Sequence, residues 1–168
     1  MRPERKSNRL QGYDYSKSGL YFVTSCVYEK VNDFGEIINS KMLLNQYGEI
    51  AQQQWFWLAQ QYPYIKLHAF IVMPNHIHGI IEIKRSLAVR TGRDLSVPGA
   101  APKIKPLSQI IGAYKTTTSK LIRQAGLTEF AWHRSFHDHI IQDEEAFIKI
   151  SDYIETNPAL WEKDKFYK

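Results

Sequence analysis

Cysteine is almost absent: Cys26 is the only one in 168 residues, which excludes an intrachain disulfide and any zinc module built on several thiolates. A reducing cytoplasm fits that usage. Long hydrophobic runs are missing as well, since no stretch nears the ~18 apolar residues of a membrane span. The charged opening MRPERKSNRLQ has no apolar core of the kind a secretory leader carries. No membrane association is expected. Internal repeats are absent too, which removes solenoids and propellers. What is present is 43% apolar and 13% aromatic content, enough for one domain spanning 1–168 with a sizeable core.

Charge is uneven. The formal net charge is +5, but residues 1–10, with Arg2, Arg5, Lys6 and Arg9 against Glu4, hold +3 and residues 84–106 hold +5, leaving −3 elsewhere. A basic arm over 1–12 and a basic loop over 84–106, which includes Arg90 and Arg93, suit phosphate contact. Solvated segments that keep the chain soluble have the same composition.

YFVTSCVYEK (21–30) reads as a strand and FGEIINSKMLL (34–44) as a hairpin turning at Asn39-Ser40. Asn45 caps a helix that runs up to Pro63. IKLHAFIVM (65–73) and HIHGIIEI (76–83) pair as an antiparallel hairpin about Pro74-Asn75, because proline favours the second turn position and asparagine tolerates the third. Ser108 caps a helix with Ile110, Ile111, Tyr114, Leu121 and Ile122 on one stripe, ended by Gly126. AWHRSFHDHII (131–141) gives a further strand, and a helix from Asp143 turns Phe147, Ile150 and Ile154 inward before Pro158. This order predicts an α+β fold, an antiparallel β-sheet with helices packed mainly on one face.

Alternate residues of a strand share a face, so His76 and His78 project side by side at the turn end of the sheet. Two imidazoles on a rigid strand preset two positions around a divalent ion. Six histidines in a chain this long give about 0.2 such pairs by chance; His137 and His139 form a second. Hydrogen-bonded core or surface histidines are the plain alternative, and a four-histidine site requires the two strands to adjoin. Tyr114 lies on the apolar stripe of its helix, as a core tyrosine would, yet that stripe rests on the sheet where an ion held by His76 and His78 would also lie. Thr118, one turn later, shares its face, and Lys115 is next in sequence. Glu82 shares the histidine face but lies too far along the strand to join the pair.

With those residues in place, the chain resembles the REP-associated tyrosine transposases and the wider single-tyrosine insertion-sequence transposases. MPNHIHGI resembles their HUH motif, two histidines about an apolar residue, and IIGAYKTTTSK resembles their helical tyrosine segment. WHRSFHDHIIQDEEAFIKISDYIETNPALWEKDKFY resembles their C-terminal third. The resemblance implies a ferredoxin/RRM-like HUH fold and a metal-dependent endonuclease and strand transferase. His76 and His78 would hold Mg²⁺ or Mn²⁺, and Tyr114 would form a 5′-phosphotyrosine. Single-stranded or hairpin DNA would be the partner, with Arg2, Arg5, Lys6, Arg9, Arg90, Arg93 and Lys115 on its phosphates, and a homodimer can supply the tyrosine from a second copy. Family members often carry an amide four residues after the tyrosine; this chain has Thr118 there, which makes it the candidate third ligand. A non-catalytic hairpin-binding protein and a water-using nuclease are the rival readings.

Overall fold

The structure is a computed structural model and describes residues 12–85 and 103–168. Pro74 and Asn75 form the expected tight turn between β4 (Ile65–Met73) and β5 (His76–Ile83). The pair zips antiparallel from Met73 opposite His76 to Ile65 opposite Ile83, with one irregularity between Leu67 and Phe70. β1 (Gly19–Cys26) pairs antiparallel with the other edge of β5, placing Thr24 opposite His78 and Cys26 opposite His76. β6 (His137–Ile141) adds to β1, so the strand order is β4-β5-β1-β6. The strand carrying the two histidines is thus central and paired on both sides.

A separate hairpin joins β2 (Gly35–Ile38) to β3 (Lys41–Leu44). Its turn residues Asn39 and Ser40 both have positive φ, 49° and 62°, the two-residue turn whose twist matches paired strands. α1 (Gln46–Gln61) is capped by Asn45, whose Oδ1 accepts from the backbone N–H of Tyr47 and Gly48. α2 (Leu107–Gln124) starts one residue before Ser108, from extended Pro106, whose carbonyl accepts the N–H of Ile110. Ser108 is therefore within the first turn and not the cap. Gly126, at φ 115°, ends that helix as expected. α3 (Glu144–Thr156) is capped by Asp143, whose Oδ1 accepts the Ala146 N–H at 2.7 Å. It leads into a 3-10 segment, Asn157–Lys163. The first strand stops at Cys26; Tyr28–Lys30 form a short 3-10 turn in which Glu29 and Lys30 take positive φ.

The sheet has two covered faces. On one, Ile77, Gly79, Ile81 and Ile83 of β5 meet α1 and α2: the Trp55 ring stacks on Phe70 at 4.6 Å and meets Tyr114 edge-on at 5.5 Å. On the other, His76, His78 and Ile80 face α3, the 3-10 segment and the C-terminal residues, with Ile154 and Phe147 among the packed side chains. Two of the three α-helices among the described residues thus share a face. The third covers the histidines.

Gly79 lets Trp55 lie directly on the sheet, because a Cβ there would sit 2.8 Å from Trp55 Cη2 and 3.0 Å from Phe70 Cδ2. Gly79→Ala should destabilise the protein by about 1–3 kcal/mol, read as a lower urea midpoint at unchanged slope. A midpoint equal to wild type would show that Trp55 is not locked there.

Candidate active site

His76 and His78 are 0% and 1% exposed, and their Nε2 atoms stand 3.0 Å apart. Each ring is held from behind: Asn75 Oδ1 lies 2.8 Å from His76 Nδ1, and Thr24 Oγ1 lies 2.7 Å from His78 Nδ1. That leaves both Nε2 atoms converging on one point. Burial pushes His76 down to about 3, helped by the Lys165 and Lys30 charges, and holds His78 well below its ordinary value, with His76 adding to the effect. Both imidazoles are neutral at pH 7, the form that donates to a cation.

Two further groups, Asp164 and Tyr153, come to the same point from the C-terminal elements, with Asn157 behind Asp164. Asp164 offers a carboxylate oxygen that lies, with the histidine nitrogens, in a set of atoms all within 4.8 Å of one another. Tyr153, on α3, brings its Oη to 3.4 Å from His78 Nε2 while staying 38% exposed. Asn157, one helical turn after Tyr153 and 2% exposed, donates through Nδ2 to Asp164 Oδ2 at 3.1 Å. Its Oδ1 is buried without a partner. An orphaned amide oxygen is rare and is a good ligand for a hard cation; next to it, two imidazoles and a carboxylate make a donor set that fits a divalent ion.

A cleft of about 430 Å³ opens onto this cluster, lined by Tyr153, Asn157, Leu160, Lys163, Asp164 and Lys165. Burial and the Asp164 charge push the Tyr153 phenol above its usual value. Phe166 closes the opposite side, its ring 4.6 Å from that of His76 and flanked by the ammonium groups of Lys30 and Lys165 at 5.2 and 4.9 Å. The cleft therefore pairs a phenol with two lysines that suit an anion.

Tyr114 does not join this site. It is 0% exposed on the α1–α2 face, its hydroxyl donates to the Ala51 carbonyl at 3.1 Å, and burial pushes its phenol far up. The whole sheet separates it from the histidines. Thr118, also fully buried, bonds back to the Tyr114 carbonyl at 2.7 Å, so it is not placed as a ligand. Lys115 donates to the carbonyls of His133 and Arg134 at 2.6 and 3.2 Å, securing the loop before β6. His137 and His139 lie on the edge strand opposite Thr24 and Phe22, outside the cluster of ligand atoms. Glu82 is taken by His68 and Lys84, at 2.7 and 3.2 Å. Arg2, Arg5, Lys6, Arg9, Arg90 and Arg93, with most of the basic arm and loop, lie outside the described residues. Among the described residues no helix is long and apolar enough to cross a membrane.

This sheet with its helices has the same fold as two solved structures. The chain superposes on a REP-associated tyrosine transposase bound to a REP hairpin with a TM-score of 0.58 over 90% of this chain and 72% of the other, at 18% identity. A candidate transposase from Deinococcus radiodurans gives a TM-score of 0.51 over 88% of this chain and 95% of the other, at 16% identity. No family model matches the chain. An uncharacterized protein of Haemophilus influenzae is 36% identical over 167 residues, covering 97% of this chain and 93% of its own, and the chain belongs to that protein's family.

The buried imidazoles make stability depend on pH in a definite direction. The unfolded chain takes up protons at these histidines near pH 6.5, while the folded, metal-free protein refuses them down to about pH 3 at His76 and to well below the ordinary value at His78. Unfolding thus binds protons in that window, and stability falls with falling pH by up to about 1.4 kcal/mol per unit for each histidine. Denaturant titrations in a chelator should show this slope in wild type and a flatter one in His76→Asn/His78→Asn; equal slopes would mean that the rings are not buried neutral.

Proposed function

We propose that the protein is a metal-dependent endonuclease and strand transferase for single-stranded or hairpin DNA, with Tyr153 as its nucleophile. One observation carries this reading: the Tyr153 phenol lies at the histidine pair, and the unpartnered amide oxygen of Asn157 follows it by four residues. The tyrosine transposases that the chain resembles often carry that spacing of phenol and amide. Tyr153 and Asn157 thereby take the parts that sequence alone gave to Tyr114 and Thr118.

His76, His78, Asn157 and Asp164 would hold Mg²⁺ or Mn²⁺. Such an ion, when bound, polarises a phosphate oxygen and orients the scissile group. The chain's own residues do the rest. Tyr153 Oη attacks phosphorus in line, forming a phenol–phosphate bond while the bond to the 3′-oxygen breaks. The phenolic proton passes to solvent in the open cleft, and the departing oxygen leaves as a 3′-hydroxyl after protonation from solvent. Attack of a second 3′-hydroxyl on the phosphotyrosine reverses these bonds and frees the phenol, so rejoining consumes no nucleotide. Lys163 and Lys165 at the cleft attract the DNA backbone, as Arg2, Arg5, Lys6, Arg9, Arg90 and Arg93 would from the arm and loop. Both histidines and the phenol come from one chain, so this chemistry needs no second copy to complete it.

Incubation with Mn²⁺ and a single-stranded hairpin oligonucleotide should yield a covalent protein–DNA adduct. Tyr153→Phe should abolish it, at least 10³-fold by the usual scale for a lost nucleophile, and Tyr114→Phe should leave it. Adduct that survives Tyr153→Phe would refute the assignment. Cleavage with no adduct would indicate water as the nucleophile, and hairpin binding without cleavage under any metal a binding protein.

A further inference from the structure

The groups that hold the two imidazoles from behind differ in kind. Asn75 Nδ2 donates to the carbonyls of Lys30 and Phe166 at 3.2 and 2.9 Å, so its amide cannot turn over, and its Oδ1 can only accept from His76 Nδ1. The His76 proton is thereby fixed on Nδ1, and its Nε2 always presents a lone pair. Behind His78 stands the Thr24 hydroxyl, buried at 4% exposure and able to donate or accept by rotating.

That difference decides what the pair does with and without an ion. At 3.0 Å, two facing Nε2 lone pairs repel, so the metal-free pair is at rest only if His78 carries its proton on Nε2, donates it to His76, and accepts from Thr24 at Nδ1. A hydrogen-bonded chain then runs Thr24, His78, His76, Asn75. Binding a cation demands the opposite tautomer of His78, with Nε2 bare and Nδ1–H donating to a Thr24 oxygen that has turned to accept.

We propose that Thr24 is a positioning residue that lets His78 change tautomer as a divalent ion enters, while Asn75 keeps His76 as a fixed first ligand. This rests on the reading of the pair as metal ligands. The exchange is balanced: one proton leaves His78 Nε2 to water, one returns to Nδ1 from water, and the net charge of the ring is unchanged. Serine in place of threonine keeps a rotating hydroxyl. Valine keeps the shape and removes it.

Long-range ¹H–¹⁵N imidazole spectra of histidine-labelled wild-type protein test this directly, first with EDTA and then with Zn²⁺ as a diamagnetic probe. The expected result is His76 protonated on Nδ1 throughout, and His78 protonated on Nε2 in EDTA and on Nδ1 with Zn²⁺. Zn²⁺ bound by both rings with no change of tautomer at His78 would overturn the proposal alone. Zn²⁺ that leaves both rings untouched would overturn the ligand reading and the proposal with it. In the same protein, Thr24→Val should weaken Mn²⁺ and Zn²⁺ binding about ten- to a hundredfold, with Thr24→Ser staying within about threefold of wild type. Full affinity in a folded Thr24→Val protein would also contradict it.

Discussion

Alternation along the central strand β5 sorts its side chains between two environments that never meet. Odd-numbered residues from Ile77 to Ile83 face α1 and α2 in a dry aromatic core, and His76 and His78 face α3 and the C-terminal segment. Because β5 is paired on both edges, its register is strongly specified, and a one-residue slip would exchange the two sets wholesale. A phenol can reach the imidazoles only from the helix on their own side. Tyr153 lies on that side, and Tyr114 packs on the other.

Much of the frame was legible in the sequence because its signals are local. The Pro74-Asn75 turn, the Asn39-Ser40 hairpin, the Asn45 and Asp143 caps and the Gly126 stop each depend on the backbone preferences of a few neighbouring residues. The histidine pair was legible for the same reason, since period two alone puts both rings on one face. The tyrosine that stands beside those rings was not. An apolar stripe shows that a helix faces the sheet without showing which side of the sheet it covers, and α2 and α3 both carry one. The signal that separates them lay in DYIETNP: a tyrosine and an amide four residues apart at a helix end, just before a proline. Asp164 joins the cluster from 86 residues beyond His78, and no local pattern announces such a contact.

The electrostatics follow from burial. Two imidazoles closed off from water are neutral and ready to donate, while Lys165 and Lys30 set positive charge around them without entering the cluster. Asp164 supplies the compensating negative charge and is itself tied down, its Oδ1 accepting the Phe166 N–H at 2.7 Å and its Oδ2 the Asn157 amide. The C-terminal segment is therefore part of the site and not a tail beside it. Phe166 seals one imidazole, its carbonyl anchors Asn75, and its N–H orients Asp164. Each of these contacts fixes a donor before any ion arrives, which is the preorganisation a metal site requires.

Anomalous diffraction from crystals soaked in Mn²⁺ tests the central claim most directly. The account predicts one strong peak bonded to Nε2 of both His76 and His78, with Asn157 Oδ1 or Asp164 completing the coordination and the Tyr153 hydroxyl facing it. A peak elsewhere on the chain, or none at the histidines at saturating Mn²⁺, would contradict it.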